Sequence, residues 1–584
     1  MNSAPSASYA ELLQQVADTP LGPPLQRIVQ RLAEARAANP AATAPLQQMA
    51  EALGLWRLQR SGEADVLLQL LEQRLGTTVQ YWILRGMVAR ALPDGAGAAL
   101  EAYRRALALD ASRSDLHYNL ANLQRESDPS SALQAYRRSL SLDQHQPNCW
   151  HNMGALLHLQ EQSQAALPAL QTSLLLDPTA PNVWCDLGNV LSALDRVPAA
   201  QRAYARAIAL DRSHGASHVN LGAALVQDLK PQQALDVLRR GVELQKSSAD
   251  SLWNLALAHL QLGEFAMGWQ LYDARLQVDD CQIPPSPTAG PMPMGLHECP
   301  TRDQPPLVVW SEQGIGDALQ FCRYLPLLEA AGVPFEFHCR PELLRLMSQW
   351  LGLNQRAVPE TSIPNASDQR PQIPLLSLPR LFGTTLATIP SQLPYLTAPE
   401  SAPPALRVPT PPGGLAVGLV WASHAGNRRM YGRKSIPLAL VMPRLLDLIE
   451  LDLIDLHCLQ WGVDANQLQS WGECPRVTNW APLCRDFADT AHVVNQLDLV
   501  ISVDTAVAHL AAALGRPTWL LLPHAADFRW LQQREDSPWY PGVMRLFRQP
   551  RAGDWLGLVE QLHAALDALF LLDLGALAAD KLHQ

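Results

Sequence analysis

"VWCDLGNVLSALDRVPAAQRAYARAIALD", residues 183–211, contains the residues whose recurrence determines the fold of the first half of the chain. Glycine recurs at a spacing of 34 residues, at Gly154, Gly188 and Gly222. The same spacing holds in three further registers, of alanine, aspartate and bulky residues: Ala132, Ala166, Ala200 and Ala234; Asp143, Asp177 and Asp211; Trp150, Trp184, His218 and Leu252. This period predicts stacked helical units, because one such unit cannot bury its apolar face alone.

The pattern resembles the tetratricopeptide repeat, in which each unit is a pair of helices. Gly188 is expected to let the first helix of its unit approach the second, with Ala200 and Tyr204 filling the gap. We expect about six units over residues 80–278, preceded by a helical region at 1–79 that holds a degenerate repeat and a cap. The resemblance implies that the concave face binds a protein or peptide. A rigid spacer that orients the second half is the alternative.

Composition restricts the class of protein and its partners. The chain has 584 residues and a formal net charge of -10, so it offers no basic surface for nucleic acid. Its nine cysteines include no CxxC pair, so neither a metal site nor a disulfide framework is expected. No signal peptide and no transmembrane segment is recognised. These features predict a soluble, cytoplasmic protein, and they leave peripheral membrane contact open.

The second half has a different pattern, of short apolar strands that alternate with helices. A proline-rich linker at 279–306 separates it from the repeats, and a proline-rich hinge at 399–414 divides it. Continuous apolar strands between helices predict parallel sheets covered on both faces. We therefore expect two Rossmann-like lobes, at 307–398 and 415–570. The last residues of the chain, 571–584, are assigned to a tail.

Three stretches of this half follow a predicted strand directly. They are "SEQGIGD" at 311–317, "ASHAGNRRMYGRKS" at 422–435 and "VDTAVAHL" at 503–510. In open α/β sheets, ligands bind beyond the carboxyl ends of the strands. These stretches are therefore the candidate binding segments.

The last of these stretches predicts an anion site. Its strand ends at Val503, and Asp504 and Thr505 begin a helix whose free N–H groups can hold a diphosphate. Thr505 and His509 are four residues apart and so lie on one helix face. The alternative is that Asp504 and Thr505 are ordinary helix caps.

The middle stretch carries a group of cations. A loop from Ser423 to Ser435 is expected to hold Arg428, Arg429, Arg433 and Lys434 in a chain that is acidic overall. Cations and glycines after a strand suit neutralisation of phosphate. A solvated surface loop is the alternative.

The first stretch raises the question of what Asp317 does. Gly314 and Gly316 allow close approach of a backbone or ligand, and Asp317 either caps the following helix or takes a proton from a substrate. The dinucleotide fingerprint GxGxxG is incomplete, because position 319 is Leu. Hydride transfer is therefore disfavoured.

Three segments in the same order resemble the heptosyltransferase-type glycosyltransferases: "GIGDALQFCRYLPLL", "GRKSIPL" and "ISVDTAVAHLAAALGRP", within residues 306–556. The resemblance implies two lobes of the GT-B fold. It also implies an inverting, metal-independent transferase that uses a nucleotide sugar as substrate and needs no cofactor. Together with the repeats, "GWQLYDARL" and the segment "DFRWLQQREDSPWYPGVMRLFRQ" are similar to those of bacterial repeat-containing proteins of this superfamily.

The resemblance also implies roles for single residues. Asp317 matches the general base and Lys434 the lysine that contacts diphosphate. Ala506 stands where the family usually has Gly, and "LLPHAADFRW" replaces its Gly-Pro-Thr segment. Asp464 matches a nucleoside-facing acidic residue only loosely. The full candidate donor and phosphate site is Gly314, Gly316, Ser423, Arg433, Lys434, Asp504, Thr505, Ala506 and His509.

Two functions remain open at this point. The first is an inverting glycosyltransferase that acts on a protein or glycan acceptor, with the repeats binding the acceptor or a partner. The second is a non-catalytic repeat scaffold with a degenerate glycosyltransferase-like domain. An open cleft with Asp317 facing Thr505 favours the first, whereas a cleft filled by Trp530, Trp539 or Tyr540 favours the second.

Overall fold

A computed structural model describes most of the chain: residues 6–39, 44–281, 283–350, 356–360, 365–400, 403–409, 414–426 and 428–582, without the side chains of 6–10, 280, 428, 429 and 571–582. The chain forms two compact units, residues 1–217 and 218–584. Among the helices that these ranges contain, none combines the length and the apolar character needed to cross a membrane.

The described residues up to Tyr272 form sixteen α-helices, which confirms the predicted all-α array. Several of these helices begin at a proline, and several others end at an aspartate or a glutamine. Their bounds are α1 (Ser6–Asp18), α2 (Pro23–Ala38), α3 (Pro45–Arg57), α4 (Ser61–Leu75), α5 (Val79–Arg90), α6 (Ala96–Leu109), α7 (Ser114–Gln124), α8 (Pro129–Leu142), α9 (Pro147–Leu159), α10 (Ser163–Leu176), α11 (Pro181–Ala193), α12 (Val197–Leu210), α13 (Gly215–Gln227), α14 (Pro231–Leu244), α15 (Ala249–Gln261) and α16 (Phe265–Tyr272).

The recurring glycines allow the two helices of a unit to touch. A Cβ atom at Gly188 on α11 would lie 2.3 Å from the ring of Tyr204 on α12. Ala200, on the same second helix, is fully buried. In the next helix pair, a Cβ at Gly222 on α13 would lie 2.3 Å from the side chain of Leu238 on α14. The role expected for Gly188 is confirmed, because any side chain at this position would separate the paired helices.

The first α/β lobe contains a four-stranded parallel sheet of order β3-β2-β1-β4. The sequence of this lobe predicts one continuous helix from Ala318 to about Ala331 after its first strand. That prediction is wrong, because a 3-10 turn at Cys322–Tyr324 interrupts the helix. Pro326 has no N–H to offer the carbonyl of Cys322, so the α-helical ladder cannot continue. The bounds are β1 (Leu307–Trp310), α17 (Ile315–Phe321), α18 (Leu325–Ala330), β2 (Phe335–Cys339), α19 (Pro341–Gln349), β3 (Ala357–Pro359), β4 (Gln372–Pro374) and α20 (Leu378–Leu381).

The second lobe contains a six-stranded parallel sheet of order β10-β9-β8-β5-β6-β7. The two parallel sheets confirm the predicted fold class of two Rossmann-like lobes. The bounds are β5 (Leu415–Val420), α21 (Arg428–Lys434), α22 (Leu438–Glu450), β6 (Ile454–Cys458), β7 (Val477–Asn479), α23 (Phe487–Val494), β8 (Leu499–Val503), α24 (Ala506–Ala513), β9 (Thr518–Leu522), β10 (Met544–Arg548) and α25 (Trp555–Leu582). The backbone of α25 continues into the residues that the sequence assigns to the tail.

The strand order of each sheet reverses at one place, and ligands bind at such switch points. In the first sheet the reversal lies between β1 and β4, and in the second between β5 and β8. The stretches 311–317, 422–435 and 503–510 therefore follow the strands β1, β5 and β8 that border these switch points. Topology alone places the candidate segments at the two crevices.

The proline-rich linker forms a strap along the first lobe. Ala289 donates its N–H to the carbonyl of Asp368 at 2.9 Å, and Gln372 donates to the carbonyl of Pro291 at 3.1 Å. The strap and the segment before β4 line a cavity of about 550 Å³. The linker is therefore hydrogen-bonded to the lobe along part of its length.

Helix α16 packs its aromatic face into the α/β part of the second unit. The ring centroid of Trp269 lies 5.8 Å from that of Phe321 on α17 and 5.7 Å from that of Phe528. Phe265 stacks on Trp539, with centroids 5.9 Å apart. All these side chains are buried. The last repeat helix is thus part of the core behind the Gly314–Asp317 loop.

A buried ion pair lies at the switch point of the first sheet. Arg275, in the 3-10 turn after α16, donates to Glu312 at 2.6 Å, and both side chains are fully buried. The same guanidinium donates to Ser377 Oγ at 3.1 Å, and Glu312 accepts the N–H of Leu376 at 3.2 Å. Residues after β1 and β4 are therefore joined by a side chain that comes from the end of the repeats.

We expect Trp269→Ala to lower the free energy of unfolding of the second unit by about 3–5 kcal/mol, because it leaves a large cavity among aromatic rings. Met267→Ala is the matched control, since Met267 lies on the same helix with 47% of its surface exposed. Urea unfolding followed by circular dichroism gives the energies. Hydrogen exchange should rise in the peptides that contain Phe321 and Phe528, and a purely local effect on α16 would contradict the packing described.

Candidate functional site

Asp317 both caps α17 and forms an ion pair across the lobes. One carboxylate oxygen, Oδ2, accepts the N–H of Gly314 at 2.9 Å, which closes the first turn of the helix. The other, Oδ1, accepts from the guanidinium of Arg529 in the second lobe. The carboxylate is 21% exposed. The capping alternative is thus realised, and the ion pair brings Asp317 into contact with the second lobe.

Gly316 lies against the start of α24. A Cβ at this position would lie 3.0 Å from His509 Cδ2 and 3.4 Å from the Cα of Ala506. A side chain at 316 would therefore push α17 away from the predicted donor turn. The loop after β1 and the turn after β8 are in direct contact, and a phosphate-binding role of Gly314 and Gly316 stays a prediction.

The turn after β8 holds a buried charge pair. Asp504 accepts a hydrogen bond from Lys434 Nζ at 2.6 Å and is 8% exposed. Burial alone would raise the pKa of Asp504, but the charge of Lys434 holds it at about 2. The pKa of Lys434 is raised, because Asp504 and Asp527 outweigh the effect of its burial. Both groups are charged at neutral pH.

The first turn of α24 has no side-chain cap. Thr505 occupies the N-cap position, but its hydroxyl lies 3.0 Å from Ser502 Oγ and makes no capping bond to the helix. The capping alternative is therefore not realised at Thr505. The start of α24, with Ala506 as its first residue, is a suitable place for an anion, and this role stays a prediction.

His509 is buried and neutral. Its Nδ1 lies 2.9 Å from the hydroxyl of Tyr540, and its Nε2 lies 3.8 Å from Asp504. Its ring stacks on Trp530, with centroids 5.4 Å apart. Burial lowers the pKa of His509 to about 3, with Asp504 opposing the shift only in part. His509 therefore binds the hydroxyl of Tyr540 without adding a positive charge to the site.

Lys434 lies at the end of helix α21, where the sequence predicted a loop throughout. That prediction is wrong for Arg428–Lys434, which is helical. Arg433 lies on the same helix. Position 427 and the side chains of Arg428 and Arg429 lie outside the described residues. Ser423 receives structural support from Ser435, whose Oγ accepts the N–H of Ser423 at 3.1 Å.

Asp464 lies apart from these charges, in the 3-10 segment Val463–Trp471 after β6. Its buried carboxylate accepts from the hydroxyl of Tyr431 at 2.6 Å and from the amide of Gln467 at 2.8 Å. The next residue, Ala465, lines a cavity of about 290 Å³ together with Trp471. Both hydrogen bonds are internal, and nucleoside contact at Asp464 stays a prediction.

Arg529 is a residue that the sequence analysis did not assign to the site. It is 9% exposed, donates to Asp317 and lies 2.8 Å from Asp527. The attraction of Asp527 and Asp317 raises the pKa of Arg529 in spite of its burial. Its position after β9, in the segment that departs from the heptosyltransferase pattern, is the signal that could have identified it.

The aromatic residues of the junction are fully buried. Trp530, Trp539 and Tyr540 each have no exposed surface. Arg323, from the turn after α17, donates to the carbonyl of Trp539 at 2.6 Å and lies 4.6 Å above the ring of Tyr540. The junction beside Asp317 is therefore filled, as the scaffold alternative expects.

The structure thus brings together charged groups from both lobes: Asp317, Lys434, Asp504, Asp527 and Arg529. The charge of Asp527 contributes to the raised pKa of Lys434, and the charge of Arg529 contributes to the lowered pKa of Asp504. Carboxylates can accept a proton from a hydroxyl, and the two cations can bind an anion.

The family model of glycosyltransferase family 9 (heptosyltransferase) matches residues 474–521. A search of curated proteins gave no match. Similar solved structures include the MamA protein, which is 20% identical over 30% of this chain and 95% of that chain, with a TM-score of 0.28. YrrB, a TPR protein with an unusual peptide-binding site, is 19% identical over 32% of this chain and 95% of that chain, with a TM-score of 0.29. A TPR repeat-containing protein from Cytophaga hutchinsonii is 11% identical over 43% of this chain and 98% of that chain, with a TM-score of 0.35.

The chain therefore combines tetratricopeptide-type helix pairs with a segment that matches the model of glycosyltransferase family 9. The matched residues contain β8, the Asp504 turn and α24. The consecutive helix pairs and their 34-residue period support the repeat assignment.

We expect acidification to destabilise the fold through His509. In the unfolded chain His509 has an ordinary histidine pKa near 6.5, whereas burial lowers the pKa of folded His509 to about 3. The unfolded state therefore gains a proton first, and the fold loses about 1.4 kcal/mol between pH 7.5 and pH 5.5. Asp504 adds a loss only below its ordinary pKa of 3.8, as pH falls towards 2.

Urea unfolding at these two pH values measures the effect, with His509→Gln as the variant that should lose this part of the pH dependence. His297→Gln is the control, because His297 is 83% exposed. Equal pH dependence in His509→Gln and the unchanged protein would show that His509 is not held neutral by the fold.

Proposed function

We propose that the chain is an inverting glycosyltransferase that transfers a sugar from a nucleotide-sugar donor to a protein or glycan acceptor. The observation that carries this proposal is the contact of the Asp317 segment with the turn after β8. Gly316 lies against Ala506 and His509 of α24, and Asp317 pairs with Arg529, whose charge also lowers the pKa of Asp504. The family 9 match supports it, because the matched segment contains the Asp504 turn.

In the proposed reaction Asp317 takes the proton of the acceptor hydroxyl. The acceptor oxygen attacks the anomeric carbon of the donor sugar from the face opposite the diphosphate. The bond between that carbon and the diphosphate oxygen breaks, its electron pair leaves with the nucleoside diphosphate, and the anomeric configuration inverts. Lys434 and the first N–H groups of α24 stabilise the departing charge.

The repeat array binds the acceptor or a protein partner in this proposal. Its last helix, α16, packs behind the Asp317 loop through Trp269, and Arg275 pairs with Glu312 five residues before Asp317. A partner bound at the last repeats can therefore act on the position of the loop through packed side chains.

A non-catalytic scaffold is the second candidate function. The observation that favours it is the filled junction, in which Trp530, Trp539 and Tyr540 are buried and both oxygens of Asp317 have partners. In this case the lobes serve as a platform and the repeats bind the partner protein.

Nucleotide binding distinguishes the two functions. We expect one nucleoside diphosphate or nucleotide sugar of a panel to raise the melting temperature, with about 2.7 kcal/mol of stabilisation at 100 times its dissociation constant. Lys434→Gln should weaken its binding about tenfold or more, because a charge-assisted contact to phosphate is lost. Lys246→Gln, at an exposed position, is the control. No response to any member of the panel would favour the scaffold.

Loss of the carboxylate tests the catalytic role of Asp317. We expect Asp317→Asn to lower the transfer rate by about 10²- to 10⁴-fold, since an amide cannot accept the proton. Release of nucleoside diphosphate in the presence of acceptor measures the rate, and Asp303→Asn, at an exposed aspartate, is the control. Full activity of a correctly folded Asp317→Asn protein would exclude Asp317 as the base.

A further inference from the structure

Arg529 has a position that neither the resemblance nor the family match explains. The matched segment ends at residue 521, before Arg529. Arg529 lies in "DFRW", part of the segment that replaces the usual Gly-Pro-Thr of the heptosyltransferase type. It nevertheless holds the carboxylate that is the candidate base. A role of Arg529 is therefore not among those that the resemblance implies.

The guanidinium of Arg529 lies near two aromatic rings, and not all of its N–H groups have hydrogen-bond partners among the described residues. It lies 5.0 Å from the ring of Phe528 and 5.7 Å from the ring of Phe321. One terminal nitrogen donates to Asp317, and the other lies 2.8 Å from Asp527. The buried Nε has no hydrogen-bond partner among the described residues. Arg529 therefore retains a donor direction that its two carboxylates do not satisfy.

The charge balance shows why a diphosphate needs this residue. Three carboxylates, Asp317, Asp504 and Asp527, face two cations, Lys434 and Arg529. A nucleoside diphosphate brings about two to three further negative charges. Lys434 alone cannot compensate them, because it already neutralises Asp504 at 2.6 Å. Arg529 is the other cation of the cluster, and guanidinium groups bind phosphate oxygens through two parallel N–H groups.

We propose that Arg529 is shared between Asp317 and the donor diphosphate: it holds Asp317 in the structure described here and turns to the phosphate oxygens when the donor binds, which frees Asp317 to accept the acceptor proton. This inference rests on the proposed function and names a positioning residue for the same site. It links donor binding to release of the base, so the acceptor is deprotonated only when the donor is present.

Sharing of one cation predicts effects of opposite sign on nucleotide affinity. Asp317→Asn removes a competing negative charge and releases Arg529, so it should tighten binding of the nucleoside diphosphate about tenfold, while transfer is lost. Arg529→Gln should weaken binding about tenfold or more. The double variant should bind like Arg529→Gln alone, because releasing Arg529 has no effect once Arg529 is absent.

Isothermal titration of the full chain with UDP, ADP, GDP and CDP measures these affinities at two salt concentrations. Binding should weaken with salt, and less so in Arg529→Gln. Arg534→Gln is the matched control, since Arg534 is a neighbouring arginine that pairs with Asp536 and is 35% exposed. Melting temperatures show which variants fold.

If Arg529→Gln fails to fold, Asp527→Asn gives a second test of the same kind as Asp317→Asn, because it also removes a carboxylate that pairs with Arg529 and should tighten binding. Unchanged or weaker binding in Asp317→Asn, with binding intact in the unchanged protein, would overturn the sharing of Arg529 and leave the proposed transferase standing. No binding of any nucleoside diphosphate by the unchanged protein would overturn the proposed function itself, and the role of Arg529 with it.

Discussion

The buried pair of Arg275 and Glu312 is the contact on which the arrangement of the second unit depends. Arg275 comes from the turn after the last repeat helix and enters the crevice between the ends of β1 and β4. Breaking a buried pair leaves one charge without compensation, so both partners must stay together. Glu312 lies five residues before Asp317, so the same pair anchors the start of the loop that contains the candidate base. The end of the repeats is thereby built into the first lobe.

The second constraint is the contact of α17 with α24. Gly316 permits it, and Arg323 supports it indirectly, because its guanidinium lies over the ring of Tyr540, whose hydroxyl is hydrogen-bonded to His509 on α24. The two lobes are also joined by an ion pair between Arg345 on α19 and Asp486 at the start of α23, at 2.5 Å. The lobes are thus closed on each other at the candidate site. Any donor that enters must replace contacts made by the site's own charges, which gives Arg529 its importance.

Local pattern was sufficient for most of the fold and for part of the site. The 34-residue period, the apolar strands and the positions of Asp317, Lys434 and Asp504 after strand ends are all properties of short segments. The break at Cys322–Tyr324 and the helical form of Arg428–Lys434 were missed. In the first case Pro326 has no N–H for the carbonyl of Cys322, and in the second Gly432 lowers helix propensity without preventing a helix.

The sequence by itself determined the helix pairs, the two parallel sheets and the polar groups at their switch points, because periodicity and strand ends depend on residues close together in the chain. Only the tertiary structure decided that Arg529 pairs with Asp317, 212 residues away, and that Arg275 occupies the crevice of the first lobe. Such contacts depend on how whole elements pack, and no local pattern encodes which distant charge will neutralise a buried carboxylate.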